Sequence, residues 1–325
     1  MSNIVPAMLV RDGDRNDPIA VPALRSMLVI DARLARPDIR DAARSIYSVF
    51  EATFGERANV CSLQFGDHHN GLVLVTPERL AAMRDFLVRG VGAKGRGRIL
   101  RYGRAFEDDV DPSVPFVLIA DNGRYTVIQH EFAANDPDAR AALDGVVEAV
   151  RDLPVLWGAQ GLGFFLPPHI DGLAHCLPQF HRRYLAALQI EPGMVLEGLD
   201  RERSFHCWGS GEEPGIGDVG WRTFVGNAFH ERVPDAPAML SGLSDVSMRA
   251  SPGFWTIEAG AEPIWGDVSR DEDAGAYRAV ATALAPVAMP LGVARSFAFG
   301  GHAYDGDHVG RVEQYFTRLA NRSER

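Results

Sequence analysis

Twice along this chain the same signals follow one another: a short apolar run, a tight turn, a second apolar run, then an amphipathic helix. In the first instance Phe116-Val117-Leu118-Ile119 and Tyr125-Thr126-Val127-Ile128 flank Asp121-Asn122-Gly123, residues that tolerate the positive φ a hairpin turn asks for. Asp136-Pro137 then caps a helix striped by Leu143, Val146, Val147 and Val150. In the second, Val246-Ser247-Met248-Arg249, a turn at Ser251-Pro252-Gly253, and Phe254-Trp255-Thr256-Ile257-Glu258 lead to a helix over 274–287 with Tyr277, Val280 and Leu284 on one face. Neighbouring strands joined by tight turns pair antiparallel, and regular βαβ alternation is missing. The expectation is an α+β fold, mainly antiparallel sheet with flanking helices. A helix precedes each hairpin, opening at Thr76-Pro77-Glu78 and spanning 227–243. Two α+β lobes are therefore expected, 1–155 and 156–325, their similar element order leaving open a duplication. The glycine-rich stretch 209–220 would join them.

Other elements fall around these. Pro37 suits the first position of a helix over 37–54, Asp38 and Asp41 complement its dipole, and Ile39, Ala43, Ile46, Phe50 and Phe54 make its apolar face before Gly55. Strands are expected at 60–65 and 72–75, and the helix opened by Thr76 carries Leu80, Met83 and Leu87. Trp157, Phe164 and Phe165 mark a buried extended stretch, and 170–188 reads as helix kinked by Pro178.

Among 325 residues, 43 acidic side chains face 33 basic ones, a formal charge of −10. A protein that binds nucleic acid broadly carries a basic footprint, so small molecules or basic proteins are the expected partners. Lys94 is the only lysine. Cys61, Cys176 and Cys207 lie too far apart for a zinc knuckle and suit a reducing compartment. No signal-peptide pattern opens the chain, and no apolar run nears the ~20 residues of a membrane span. The cytoplasm is the expected location.

The chemistry-bearing residues give no catalytic motif. His68-His69 beside Asp67 fits a polar turn better than a metal site, since neighbouring side chains on an extended segment point apart. His169, Asp171, His175 and His181 are the densest histidine group; Asp171 and His175 would share a helical face, but no third zinc ligand follows from the spacing. His302, Asp305, Asp307 and His308, like the run from Asp12 to Asp17, lack the glycine and distal glutamate of a calcium loop. Gly158, Gly161 and Gly163 are wrongly ordered for a dinucleotide site, 92–97 lacks the end of a phosphate loop, and Ser210 lacks the glycine of a nucleophile elbow. No catalytic residue, metal or cofactor is assigned. The alternative is a metal-dependent hydrolase built on His169, Asp171 and His175.

Charge is unevenly spread. Arg84, Arg89, Lys94, Arg96, Arg98, Arg101 and Arg104 form a basic stretch, followed by Glu107, Asp108, Asp109 and Asp111; a second acidic loop holds Asp267, Asp271, Glu272 and Asp273. Such runs read as solvated faces, or as loops that steer a basic partner.

The order Gly220-Trp221-Arg222-Thr223-Phe224-Val225-Gly226, Trp255-Thr256-Ile257-Glu258-Ala259-Gly260, Pro263, Gly266-Asp267 and Ala276-Tyr277-Arg278-Ala279-Val280 resembles a bacterial family of type VI secretion immunity proteins. The likeness runs from about residue 180 onward and rests on core and turn residues. It implies a cytoplasmic, non-catalytic protein that binds a toxic effector delivered between bacteria and blocks it by stoichiometric occlusion. In that family the effector is often a nuclease with a basic DNA-binding cleft, which an acidic inhibitor would suit. Asp108, Asp109, Asp111, Asp271, Glu272 and Asp273 are the expected partner-binding residues, with a cognate effector protein as partner and neither nucleic acid nor membrane.

Overall fold

Every pair of strands among the described residues is antiparallel. The computed structural model describes residues 10–11, 18–65, 68–69, 73–90, 97–103, 114–165, 181–189, 215–290 and 306–320. Their strands form one 12-stranded sheet. Its first part holds β1 (Val10–Arg11), β2 (Pro18–Ile30), β3 (Val60–Phe65), β4 (His68–His69), β5 (Val73–Leu74), β6 (Gly97–Tyr102), β7 (Phe116–Asp121) and β8 (Thr126–Ala133). Later residues add β9 (Val155–Phe165), β10 (Arg222–Gly226), β11 (Val246–Ala250) and β12 (Phe254–Ala259). The path across the sheet is β11-β12-β10-β9-β2-β8-β7-β6-β3-β4, with β1 on β2 and β5 on β3. Both expected hairpins are present as β7–β8 and β11–β12, and the fold is α+β.

The middle of the sheet is where the chain's two halves meet. β2 pairs with β8 along one edge and with β9 along the other, and β9 in turn pairs with β10. Every residue of β9 is buried, as expected of a strand covered on both faces.

Helices α1 (Pro37–Phe54) and α2 (Pro77–Arg89) start where the sequence sets them, and α3 (Ala139–Val150) starts just past Asp136-Pro137, with Asp138 at its N-cap. Pro37 stands at the first turn of α1, and the Thr76 hydroxyl accepts from the Arg79 amide at 3.3 Å to cap α2. Ile39, Ala43, Ile46, Phe50 and Phe54 are all buried. Phe54 meets Phe132 of β8 with ring centroids 4.5 Å apart, which places α1 over the sheet face carrying Leu24, Leu28, Ile128 and Phe132. The opposite face carries Arg25, Glu131 and a smaller cluster of Ala23, Val60, Leu100, Phe116 and Phe165.

Three expectations change in form. The helix expected over 170–188 is absent from its described part: 181–189 is an irregular strap of turns that pairs with β9, the Leu188 amide donating to Leu162 O and the Phe164 amide to Leu188 O. The strap can approach because Gly163 has no side chain; a Cβ there would lie 2.1 Å from Leu188 O. Of the glycine-rich stretch 209–220 the described part, 215–220, is buried, with Ile216 bonded to Val287 and Met289. Pro234 and Pro237 split the helix expected over 227–243 into α4 (Asn227–His230) and α5 (Ala236–Ser241). The last expected helix is α6 (Gly275–Ala283) followed by a 3-10 turn at Ala285–Val287, and α7 (Gly306–Thr317) lies beyond it.

Candidate functional site

The residues that carry the sequence resemblance prove to be the frame of one corner of the molecule. Arg222 on β10 bonds Glu258 on β12 at 2.8 Å and also reaches Asp144 of α3. Beside it the Trp221 indole is met by two guanidinium groups, those of Arg222 and Arg140, 4.2 and 4.7 Å from the ring centre, and donates from Nε1 to Gly260 O. Tyr277 of α6 accepts from the Ile264 amide. Gly266 holds φ at 64°, and a Cβ there would stand 2.8 Å from the Ala186 amide nitrogen. These contacts fix the path of the loop that leaves β12.

That loop ends in the acidic turn. Asp267 is buried and opens a 3-10 turn at Val268–Arg270, accepting from the Ser269 amide and hydroxyl at 2.9 and 2.7 Å. Arg183 of the strap grips both of its oxygens at 3.0 Å. Burial pushes the Asp267 carboxyl up, but the Arg183 fork and the Ser269 donors outweigh it and hold the group below its ordinary value. Of the three carboxylates expected to face a partner, two serve the turn itself. Glu272 Oε2 accepts from the Asp267 amide at 3.0 Å, and Asp273 Oδ1 accepts from the Gly275 amide at 2.8 Å, at the start of α6. Asp271 is exposed, in the left-handed region at φ 51°, and makes no side-chain bond to a described residue. The structure thus brings Asp271, Glu272 and Asp273 together on one surface turn. Asp108, Asp109 and Asp111 lie outside the described residues, as do His169, Asp171, His175, Cys176, Cys207 and Ser210. Among the described residues no group of three or more His, Cys, Asp and Glu side chains is arranged to hold a metal ion.

The basic stretch resolves into separate roles. Arg84 bonds Glu51 of α1 at 2.9 Å and Arg89 bonds Asp85 at 2.7 Å, both on the surface. Arg101, on β6, turns inward and is 1% exposed. Its guanidinium meets Glu51, the Tyr47 hydroxyl and the carbonyls of Gly55 and Ala58, so Arg101 ties α1's end to the sheet and is no part of a solvated face.

Two buried ionic networks and one cleft were not expected from sequence. Arg25 donates to both oxygens of Glu131 at 2.9–3.1 Å and to Leu188 O at 3.0 Å, and Gln129 completes the Glu131 shell at 2.6 Å. Asp218 accepts from Arg318, from the Tyr315 hydroxyl and from the Val219 amide, while Arg318 also binds the strap carbonyls of Leu185 and Ala187. Over this second network opens a cleft of about 200 Å³ between α6 and α7, its walls including Ala281, Leu284, Met289 and Phe316. The Asp218 and Arg318 charges at its wall are satisfied by each other and by main chain. A smaller crevice between α1 and α3 is lined by His130, whose burial pushes it down to about 3, so the ring is neutral.

No protein-family model matches this sequence, nor does any curated protein. Among solved structures the chain is similar to the Pseudomonas aeruginosa T6SS protein PA0821, with a TM-score of 0.74 at 16% identity over 98% of this chain and 87% of that one. What the two share is the fold. The toxic C-terminal tip of CdiA from Pseudomonas aeruginosa in complex with immune protein also aligns, at 13% identity over 46% of this chain and 99% of that one, but with a TM-score of 0.21, too low to mark a common fold. No helix among the described residues is long and apolar enough to cross a membrane.

Proposed function

We propose that this protein binds and neutralises a type VI secretion effector in the cytoplasm by stoichiometric occlusion, without catalysis. The observation that carries the reading is a fold shared almost end to end with a T6SS protein. It agrees with the immunity-family pattern of the C-terminal half, whose quoted residues build the frame beneath the acidic turn. The charge of −10 favours an effector with a basic face, such as the cleft of a nuclease, because opposite potentials steer and align the encounter. Asp271, carried outward on a turn that Glu272 and Asp273 brace, is the proposed contact on the described surface, with Asp108, Asp109 and Asp111 as the second acidic loop.

Co-expression with the product of the neighbouring gene tests this directly. The expected result is a 1:1 complex and rescue of cells from that product's toxicity. Failure of both would overturn the reading.

A further inference from the structure

Among the described residues the sheet path ends at β11, which pairs with β12 alone. Asp245 O accepts from the Gly260 amide, and the Ser251 amide donates to Phe254 O. These two bonds fix the odd-numbered residues as those bonded to β12, so the main-chain groups of Val246, Met248 and Ala250 point outward. The Val246 amide is taken by Leu243 O. The amides and carbonyls of Met248 and Ala250 meet no described partner. β11 carries no proline, no lysine and no bulge, for the register with β12 runs unbroken from Val246↔Ala259 to Ala250↔Trp255, and Arg249 is its one charged side chain. Beside this edge α5 packs against β11 and leaves Met239 and Leu243 49% and 40% exposed, two of the few large apolar side chains on the described surface.

We propose that β11 is a self-association edge, on which a second copy of this chain lays its own β11 antiparallel about a two-fold axis. The occupant follows from self-complementarity. Outward groups on even-numbered residues require even to pair with even, and the two-fold we assign passes through Met248, setting Met248 against Met248 of the second copy and Val246 against Ala250. Ser247 then stands opposite Arg249 of the second copy. Within one chain Ser247 already donates to Glu258 at 3.2 Å, and Arg249 bonds the same carboxylate at 2.9 Å. The incoming Arg249 therefore arrives over Ser247 at the Glu258 carboxylate, and no two like charges face each other directly. A two-fold through Arg249 would also pair outward groups, Met248 with Ala250, but would set Arg249 against Arg249, a like-charge pair that disfavours it, and a slide of one residue would bring groups already bonded to β12 opposite outward ones.

Light scattering of the full chain across a wide concentration series tests the proposal. A species of twice the chain mass is expected, lost in both Ala250→Pro and Leu243→Glu. Ala250→Pro removes an outward amide and no ladder bond. Leu243→Glu leaves β11 untouched, and both are read beside unchanged thermal melting. Register is read by oxidation with diamide in a chain carrying Cys176→Ser and Cys207→Ser. Met248→Cys should cross-link to a reducible dimer, since opposed residues in a bonded pair lie about 5.5 Å apart at Cα, and Ser247→Cys should cross-link several-fold less. A chain monomeric at every concentration would leave the edge to a foreign strand or to none and would overturn the proposal. So would a dimer that survives both variants, or equal cross-linking at the two cysteine positions.

Discussion

Asp271 and Asp267 stand four residues apart with opposite duties, and the difference is measurable. Asp271→Asn keeps the shape of a side chain that tolerates the left-handed backbone and removes only charge. Its stability should stay within about 0.5 kcal/mol of the parent, while association with the effector at low salt should slow; an unchanged rate would remove Asp271 from the interface. Asp267→Asn should cost about 1 kcal/mol at neutral pH in chemical denaturation, modest because Arg183 is half exposed and screened. Since the folded-state value of Asp267 lies below its ordinary 3.8, that contribution is present above the ordinary value and fades as pH falls through the folded one. The gap between parent and variant should therefore close on acidification. Arg25 and Glu131 are buried, at 3% and 1% side-chain exposure. Losing one partner strands a charge in the interior, and Glu131→Gln should cost about 3–5 kcal/mol. The joint replacement Arg25→Met with Glu131→Leu should cost less than either single change, and a double-mutant cycle of unfolding free energies reads that coupling directly.

At the scale of elements, those that declare themselves by local chemistry were legible and those made by distant approach were not. Proline and a capping threonine set the starts of α1 and α2, and turn residues set both hairpins, because each signal acts within a few residues of its target. Thr76→Ala should accordingly cost about 1 kcal/mol, as lost caps do, read by thermal or chemical unfolding. The strap gives no such signal. Its apolar residues fit a helix in sequence, yet its backbone bonds go to β9 and to the loop at 265–268, and the permission for the approach to β9 lies in Gly163. In Gly163→Ala the new methyl must displace Leu188 O, and hydrogen exchange should show faster exchange at the Leu188 and Phe164 amides, whose bonds cross that junction. The candidate site divides the same way. The cluster of Asp271, Glu272 and Asp273 is plain from charge, but that Glu272 and Asp273 brace the turn depends on where the Asp267 and Gly275 amides point. Arg101 was misread for a related reason: inside a basic run, one residue on a strand faces inward by the two-residue period of the strand itself.

For the whole molecule the central fact is that β9 belongs to both halves. Strands from before and after residue 155 share one sheet, and one buried apolar cluster draws on α1, α3, α5 and α6 alike. A single cooperative transition is expected, with tryptophan fluorescence and far-ultraviolet circular dichroism melting together; transitions that separate would favour independently folding lobes.

The Arg318 contacts have a consequence in time. A chain leaves the ribosome from its N-terminus, and domains tend to fold as they emerge. Asp218 and the strap carbonyls of Leu185 and Ala187 are made long before Arg318, which lies 100 residues after Asp218. Until residue 318 is synthesised, that carboxylate lacks the Arg318 guanidinium, and the carbonyls of Leu185 and Ala187 lack the donors it brings. The strap, already tied to β9 and to the loop at 265–268, therefore gains its last side-chain bonds late, and a stall before α7 would release a chain with its sheet in place and its clasp undone.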